Sequence, residues 1–134
     1  MGWMLLPLKR YSDFHGRSRR REFWMFMLVY IIMSAPLIAL NPILGVSGVG
    51  KASGLGALVY WLHFALIAFL FIPNLAVQAR RFHDIGWSGW CVLLNFIPYV
   101  GVFIVLVFMV FDGKRGPNRY GPDPKDQGYN TVFE

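Results

Sequence analysis

Three long stretches without a single Asp, Glu, Lys or Arg make up most of this chain: Phe23 to Leu44, Leu55 to Ala79 and Trp90 to Phe111. At the helical rise each would be roughly 33 to 37 Å long, against a hydrocarbon core of about 30 Å. A soluble helix of that length keeps a polar face, because only one stripe of it is buried. These runs have none, and with no water to satisfy the backbone, uncharged runs this long read as membrane helices. The expected fold class is all-α: a small integral membrane protein with three hydrophobic helical segments (about 23–44, 55–79 and 90–111). Charged residues are 15% of the chain, where a soluble domain carries about a quarter. At 134 residues it has room for one membrane domain and no added soluble one.

The basic residues flank the apolar runs. A net charge of +6 placed there suits an anionic membrane surface and argues against nucleic acid as a partner. The single Cys91 excludes an intramolecular disulfide and reads as a small core residue. The first run is too long for a cleaved signal peptide and ends without a small-x-small site, so an uncleaved anchor is expected. The opening Met-Gly lacks the Ser or Thr that myristoylation wants at position six, where Leu6 stands.

Residues 1–22 read as a basic interfacial segment, with Trp3 and Leu5 dipping into the membrane and the basic residues on lipid phosphates. Ser18 is the expected N-cap of the first helix, with Glu22 in its first turn and Trp24 and Tyr30 near the interface. Pro36 and Pro42 should kink or fray its far end. The Gly/Ser loop 45–54 approaches phosphate-loop spacing, but Ala52 stands where a magnesium-holding Ser or Thr is needed. The third segment is kinked or re-entrant at Pro98–Gly101. As a full crossing it puts the polar tail (112–134) opposite the N-terminus, with a weak charge bias. As a re-entrant hairpin it returns the tail to the N-terminal side, leaving only Lys51 opposite, which is a strong positive-inside pattern. Re-entrant backbone must be buried in protein or line a wet cavity, which weighs against the hairpin. In either case the N-terminus is expected in the cytoplasm.

Three motifs carry a resemblance. Phe14-His15-Gly16-Arg17-Ser18-Arg19-Arg20-Arg21-Glu22-Phe23-Trp24, Arg80-Arg81-Phe82-His83-Asp84-Ile85-Gly86-Trp87-Ser88-Gly89-Trp90 and Asn118-Arg119-Tyr120-Gly121-Pro122-Asp123-Pro124 follow in the order found in the bacterial domain-of-unknown-function family 805. The resemblance covers about residues 8 to 125 and departs only at Trp87, where a more polar residue is expected. It implies a small multi-pass protein of the bacterial inner membrane, and it supplies no reaction, substrate or cofactor.

The candidate residues for binding an anionic ligand or partner are Arg17, Arg20, Arg80, Arg81, His83, Asp84 and Arg119. Arg80 and Arg81, at the end of a membrane helix, are expected to snorkel to lipid phosphates. His83 and Asp84 should lie in extended or turn backbone, where adjacent side chains diverge and form no dyad. Asp84 or Ser88 is expected to cap the next helix, and Gly86 and Gly89 to allow the tight turn. If the tail returns, Arg119, Tyr120 and Asp123 are expected to meet Arg80 and Asp84 in a cap of Arg–Asp pairs. His63, inside the second run, is expected to be neutral and bonded to a carbonyl or to Asn95, or else to line a transport path. Neither the histidines nor Cys91 fall into a metal-ligand pattern, and neither a nucleophile elbow nor an intramembrane carboxylate pair is visible. The expectation is a non-enzymatic protein without cofactor or metal. Its expected partners are membrane phospholipid, a membrane protein or a second copy, and the alternative is a subunit of an oligomeric channel or transporter.

Overall fold

The computed structural model describes residues 2–46 and 54–125, with side chains from Leu5 onward. The side chain of Trp3 and most of the glycine-rich loop, including Lys51 and Ala52, fall outside the described residues. The helices are α1 (Gly2–Lys9), α2 (Arg20–Ile43), α3 (Gly54–Ile85), a 3-10 helix (Gly89–Phe96) and α4 (Gly101–Val110). No strand forms among the described residues, and Asn118 and Gly121 make an isolated bridge.

Two helices, α2 and α3, are long and apolar enough to cross a membrane, each with a mean hydropathy of 2.2 over its best window. Only 17% of that window in α2 and 11% in α3 is buried. A core helix of a soluble protein hides its apolar surface. These helices expose theirs along their length, which is stable against lipid and not against water.

At 32 residues, α3 is about 48 Å long, well beyond the hydrocarbon thickness. It does not stop at Ala79, where the charge begins, but carries Arg80, Arg81, His83 and Asp84 on through two further turns. This corrects the expected turn at His83–Asp84. The helix ends at Gly86, whose φ of 91° is the left-handed conformation that closes a Schellman motif: the Trp87 amide donates to the Phe82 carbonyl at 2.8 Å and the Gly86 amide to that of His83 at 3.0 Å.

The chain divides into two compact units. One is Met27–Ile72, a hairpin of α2 and α3 in which Ser34, Gly56 and Leu70 are buried. The other joins Met1–Phe26 to Pro73–Glu134. Its centre is the last part of α3, where every residue from Ala76 to Phe82 is buried. Around it lie Pro7 of α1, Phe23 and Phe26 of α2, Val92 of the 3-10 helix, and Val105 and Met109 of α4.

The third apolar segment turns back on itself. The 3-10 helix of eight residues and α4 of ten are each about 15 Å long, half a hydrocarbon core. They pack on one another, with Gly101 so close to Leu94 that a Cβ would overlap the Leu94 carbonyl oxygen. By Phe108 the chain is back beside Trp87, with ring centroids 4.8 Å apart, although 21 residues of straight helix would span about 30 Å. Within the turn Ile97, Val100 and Gly101 donate to the carbonyls of Leu94, Pro98 and Ile97, and Pro98 has no amide to satisfy. On α4 the buried face is Gly101, Val105 and Met109, one residue per turn, while Val102, Phe103, Ile104, Val107 and Val110 are exposed.

Candidate functional site

The three polar motifs, far apart in sequence, meet around the end of α3. A helical backbone brings Arg81 and Asp84, three residues apart, onto one face, where they pair. Asp84 also accepts from Arg17, whose Nε lies 3.0 Å from Oδ1. The rest of that guanidinium is taken by the tail: Nη1 donates to the Gly116 carbonyl at 2.7 Å and Nη2 to that of Lys114 at 2.5 Å. Arg81 donates in addition to the Phe111 carbonyl at the end of α4. Gly113 is needed here, because a Cβ on it would overlap the Asp84 carboxylate.

On the neighbouring side of α3, Arg80 Nη1 stands 2.9 Å from Glu22 Oε1, yet neither atom has an aligned hydrogen bond. The contact is Coulombic. The directed bond of Glu22 comes from Ser18, whose hydroxyl donates to Oε2 at 2.5 Å. Ser18 therefore braces a carboxylate, and α2 begins only at Arg20; this corrects the expected Ser18 cap. Its amide donates to the Arg80 carbonyl, tying the N-terminal segment to α3. Ser88 does cap the 3-10 helix, accepting from the Trp90 amide at 3.4 Å.

Arg80 and Arg81 are fully buried and do not snorkel. A guanidinium reaches for lipid phosphate when it lacks a partner nearer to hand, and here Glu22 and Asp84 supply one. Among the described residues the buried charges are Arg17, Arg80 and Arg81 against Glu22, Asp84 and Asp123. Three cations face three anions, so the whole surplus of +6 is carried by the other residues. Unpaired, any one of these charges would be costly to bury.

Asp123 fastens the tail. Its Oδ2 accepts from the Gly116 amide and its Oδ1 from the Lys125 amide, both at 2.9 Å. The Lys125 amide first, then the Gly116 amide and the Arg17 charge, outweigh burial and hold its carboxyl below the usual carboxylate range. Asn118 donates to the His83 carbonyl at 2.9 Å. His83 Nδ1 lies 3.1 Å from the Gly16 carbonyl, which only accepts, so the neutral ring carries its proton on Nδ1 and leaves Nε2 as an acceptor. The imidazole stacks on Tyr120 with centroids 3.8 Å apart, and the Arg119 guanidinium lies over the same phenol ring at 4.7 Å. These rings, with Phe14, His15, Ser88 and Trp90, line a largely apolar cleft of about 610 Å³.

The sequence matches the family described as protein of unknown function (DUF805) over residues 11–122. The chain belongs to the DUF805 family. It is 43% identical to the inner membrane protein YhaH of Escherichia coli K12 over 93% of this chain and 98% of that one. It is 42% identical to the inner membrane protein YhaI of the same strain, over 93% and 97%. The uncharacterized protein YiiR of that strain is 28% identical over 89% of this chain and 90% of its own. No solved structure matches. Two long exposed apolar helices and the names of YhaH and YhaI agree, and the inner membrane is where this DUF805 protein belongs. The DUF805 match takes in Arg17, Glu22, Arg80, Arg81 and Asp84 and stops one residue short of Asp123.

Of the residues singled out in the sequence, Arg17, Arg80, Arg81 and Asp84 come together in the buried network. His83 borders the cleft, while Arg20 and Arg119 lie on the exposed rim. It is Arg17, not Arg119, that reaches Asp84 and Asp123. His63 lies in the α2–α3 hairpin unit with its Nε2 buried and without a hydrogen-bond partner. It is not paired with Asn95, whose amide donates to Gln78 at 2.6 Å and to the Val92 carbonyl at 2.8 Å. Sequence reasoning missed Asp112, Lys125 and the inward turn of Glu22. The last had a signal, since Ser18 and Glu22 stand four apart, one helical turn.

Proposed function

We propose that this protein is a multi-pass, non-enzymatic protein of the inner membrane that binds anionic phospholipid headgroups through the cap around the end of α3. Its N-terminus and its tail then share the cytoplasmic side. One observation carries the reading: the arginines that hold the cap together are neutralised inside it, while Lys114, Arg115 and Arg119 are exposed on the same unit. Each such residue near an anionic leaflet contributes about 1 kcal/mol of attraction. Twelve of the thirteen Lys and Arg residues then lie on one side and Lys51 alone on the other, in keeping with the positive-inside rule.

The test is native mass spectrometry of the protein released from its own membranes. Anionic lipid retained above its bulk share, and reduced in Arg115→Gln/Arg119→Gln, supports the reading. Retained lipid of bulk composition sinks it, and a co-released protein moves the cap to partner binding. A second reading, a channel or transporter subunit, rests on Ser34 Oγ and His63 Nε2, both buried without a hydrogen-bond partner in the α2–α3 hairpin unit. It requires flux in liposomes that His63→Ala alters.

A further inference from the structure

The cap's ion pairs make no use of the apolar cleft beside His83, and the polar groups of that cleft are few. His83 Nδ1 is committed to the Gly16 carbonyl at 3.1 Å, so in the neutral ring Nε2 is an acceptor. No described residue donates to it. Stacking on Tyr120, with centroids 3.8 Å apart, holds the imidazole in place. Gly89 keeps Nε2 uncovered, because a Cβ there would stand 2.7 Å from it, too close for both. Next in the chain, Ser88 Oγ accepts from the Trp90 amide, and its own proton has no acceptor among the described residues. Phe14 and Trp90, on the same lining, are 38% and 76% exposed. All these residues belong to one compact unit.

We propose that this cleft binds a neutral amphipathic molecule with a phenolic ring, whose hydroxyl donates to His83 Nε2. At about 610 Å³ the cleft falls within the 300 to 1,000 Å³ or so of small-molecule sites, which share its apolar, aromatic lining and few polar groups. The bonding pattern selects the ligand. A lipid phosphate brings only acceptors, which would face the lone pair of Nε2, and an acyl chain brings no donor at all. An ammonium could donate, but a charge is costly to bury against an apolar lining. A neutral hydroxyl donates to Nε2 and keeps lone pairs that suit the free proton of Ser88. The ring follows from Phe14 and Trp90, since an aromatic guest gains edge or offset contacts with such faces beyond the area it buries. Trp90 opens the third apolar run, so an apolar tail on the ring has lipid beside it. The site uses none of the exposed basic residues on which anionic-lipid binding rests, so the two readings stand or fall separately.

The experiment uses the full chain in phosphatidylcholine nanodiscs, loaded without oxygen with decylubiquinol or with its oxidised form, decylubiquinone. The two share a tail and a substituted ring and differ in the phenolic hydroxyls, which the quinone replaces by carbonyls. The amount bound in excess of protein-free discs is read by extraction after gel filtration. The quinol is expected to saturate at one molecule per chain and to bind about tenfold or more tighter than the quinone, whose carbonyls leave Nε2 without a donor. This comparison is made on the wild type, so no folding defect enters it. Gly89→Ala, at a position without positive φ, covers Nε2 while keeping the His83 side chain, and is expected to remove that preference. Decanol, which has the hydroxyl without the ring, is expected to displace the quinol poorly. Equal binding of quinol and quinone by the wild type overturns the site, as does an undiminished preference in Gly89→Ala. Ready displacement by decanol overturns the choice of a phenolic ring.

Discussion

Arg17 has no near neighbour in sequence among its partners: Asp84 is 67 residues away and the carbonyls of Lys114 and Gly116 nearly 100. Replacing it with Gln keeps some hydrogen bonding but leaves Asp84 with Arg81 alone and Asp123 with only the charge of Lys125. Loss of one member of a buried charge network costs about 3–5 kcal/mol. Arg17→Gln is therefore expected to lower unfolding stability in detergent by that order, where Arg115→Gln, on the exposed rim, shifts it by less than about 0.5 kcal/mol. Equal effects would mean that the network contributes no more than the surface. Asp123 supplies a pH dependence local to the tail. Its folded pKa is depressed by the Lys125 and Gly116 amides and by Arg17, so its contribution is fully present above the unfolded value of about 3.9. It is lost as pH falls through the lower folded value. Hydrogen exchange at the Gly116 and Lys125 amides should stay protected from pH 8 to 5 and lose protection only in the acid range. In Asp123→Asn the protection should be weak at every pH.

At the scale of elements, the sequence was legible where a single rule governs and not where two compete. The apolar runs of α2 and α3 follow from length and the absence of charge alone. The end of α3 does not, because Arg80-Arg81 reads as a membrane boundary although arginine is a good helix former, and the Schellman glycine comes five residues later. Pro98 likewise permits a kink or a reversal, and what decides is contact between Gly101 and Leu94, which no local pattern encodes. The reversal puts Tyr99 at φ 65° and 95% exposed, a left-handed conformation that costs a residue with a Cβ about 1 kcal/mol or more. Tyr99→Gly is expected to leave the hairpin intact and neutral to more stable by about that amount, against the loss of one exposed ring. Gly101→Ala should destabilise it, since the new methyl meets the Leu94 carbonyl. Thermal denaturation in detergent separates the two, and a kinked continuous helix predicts the opposite order.

For the whole molecule, the cap and the topology are one question. A third segment that crossed the membrane would carry Lys114 and Gly116 to the far side from Arg80, and the carbonyls that engage Arg17 would be out of reach. A segment that turns back inside the membrane would keep them together, and under the proposed orientation the cation-poor end, with Lys51 alone, would be the one moved across the membrane. In a Cys91→Ser background, a membrane-impermeant maleimide applied from the periplasmic side should label Lys51→Cys and should label neither Ser12→Cys nor Lys114→Cys until the cells are opened. Labelling of Lys114→Cys from outside would make the third segment a full crossing and dissolve the cap as drawn. Labelling of Ser12→Cys and Lys114→Cys but not Lys51→Cys would keep the cap and reverse the protein in the membrane. The cap's exposed arginines would then face the periplasm, and any phosphate they bind would have to come from the outer leaflet.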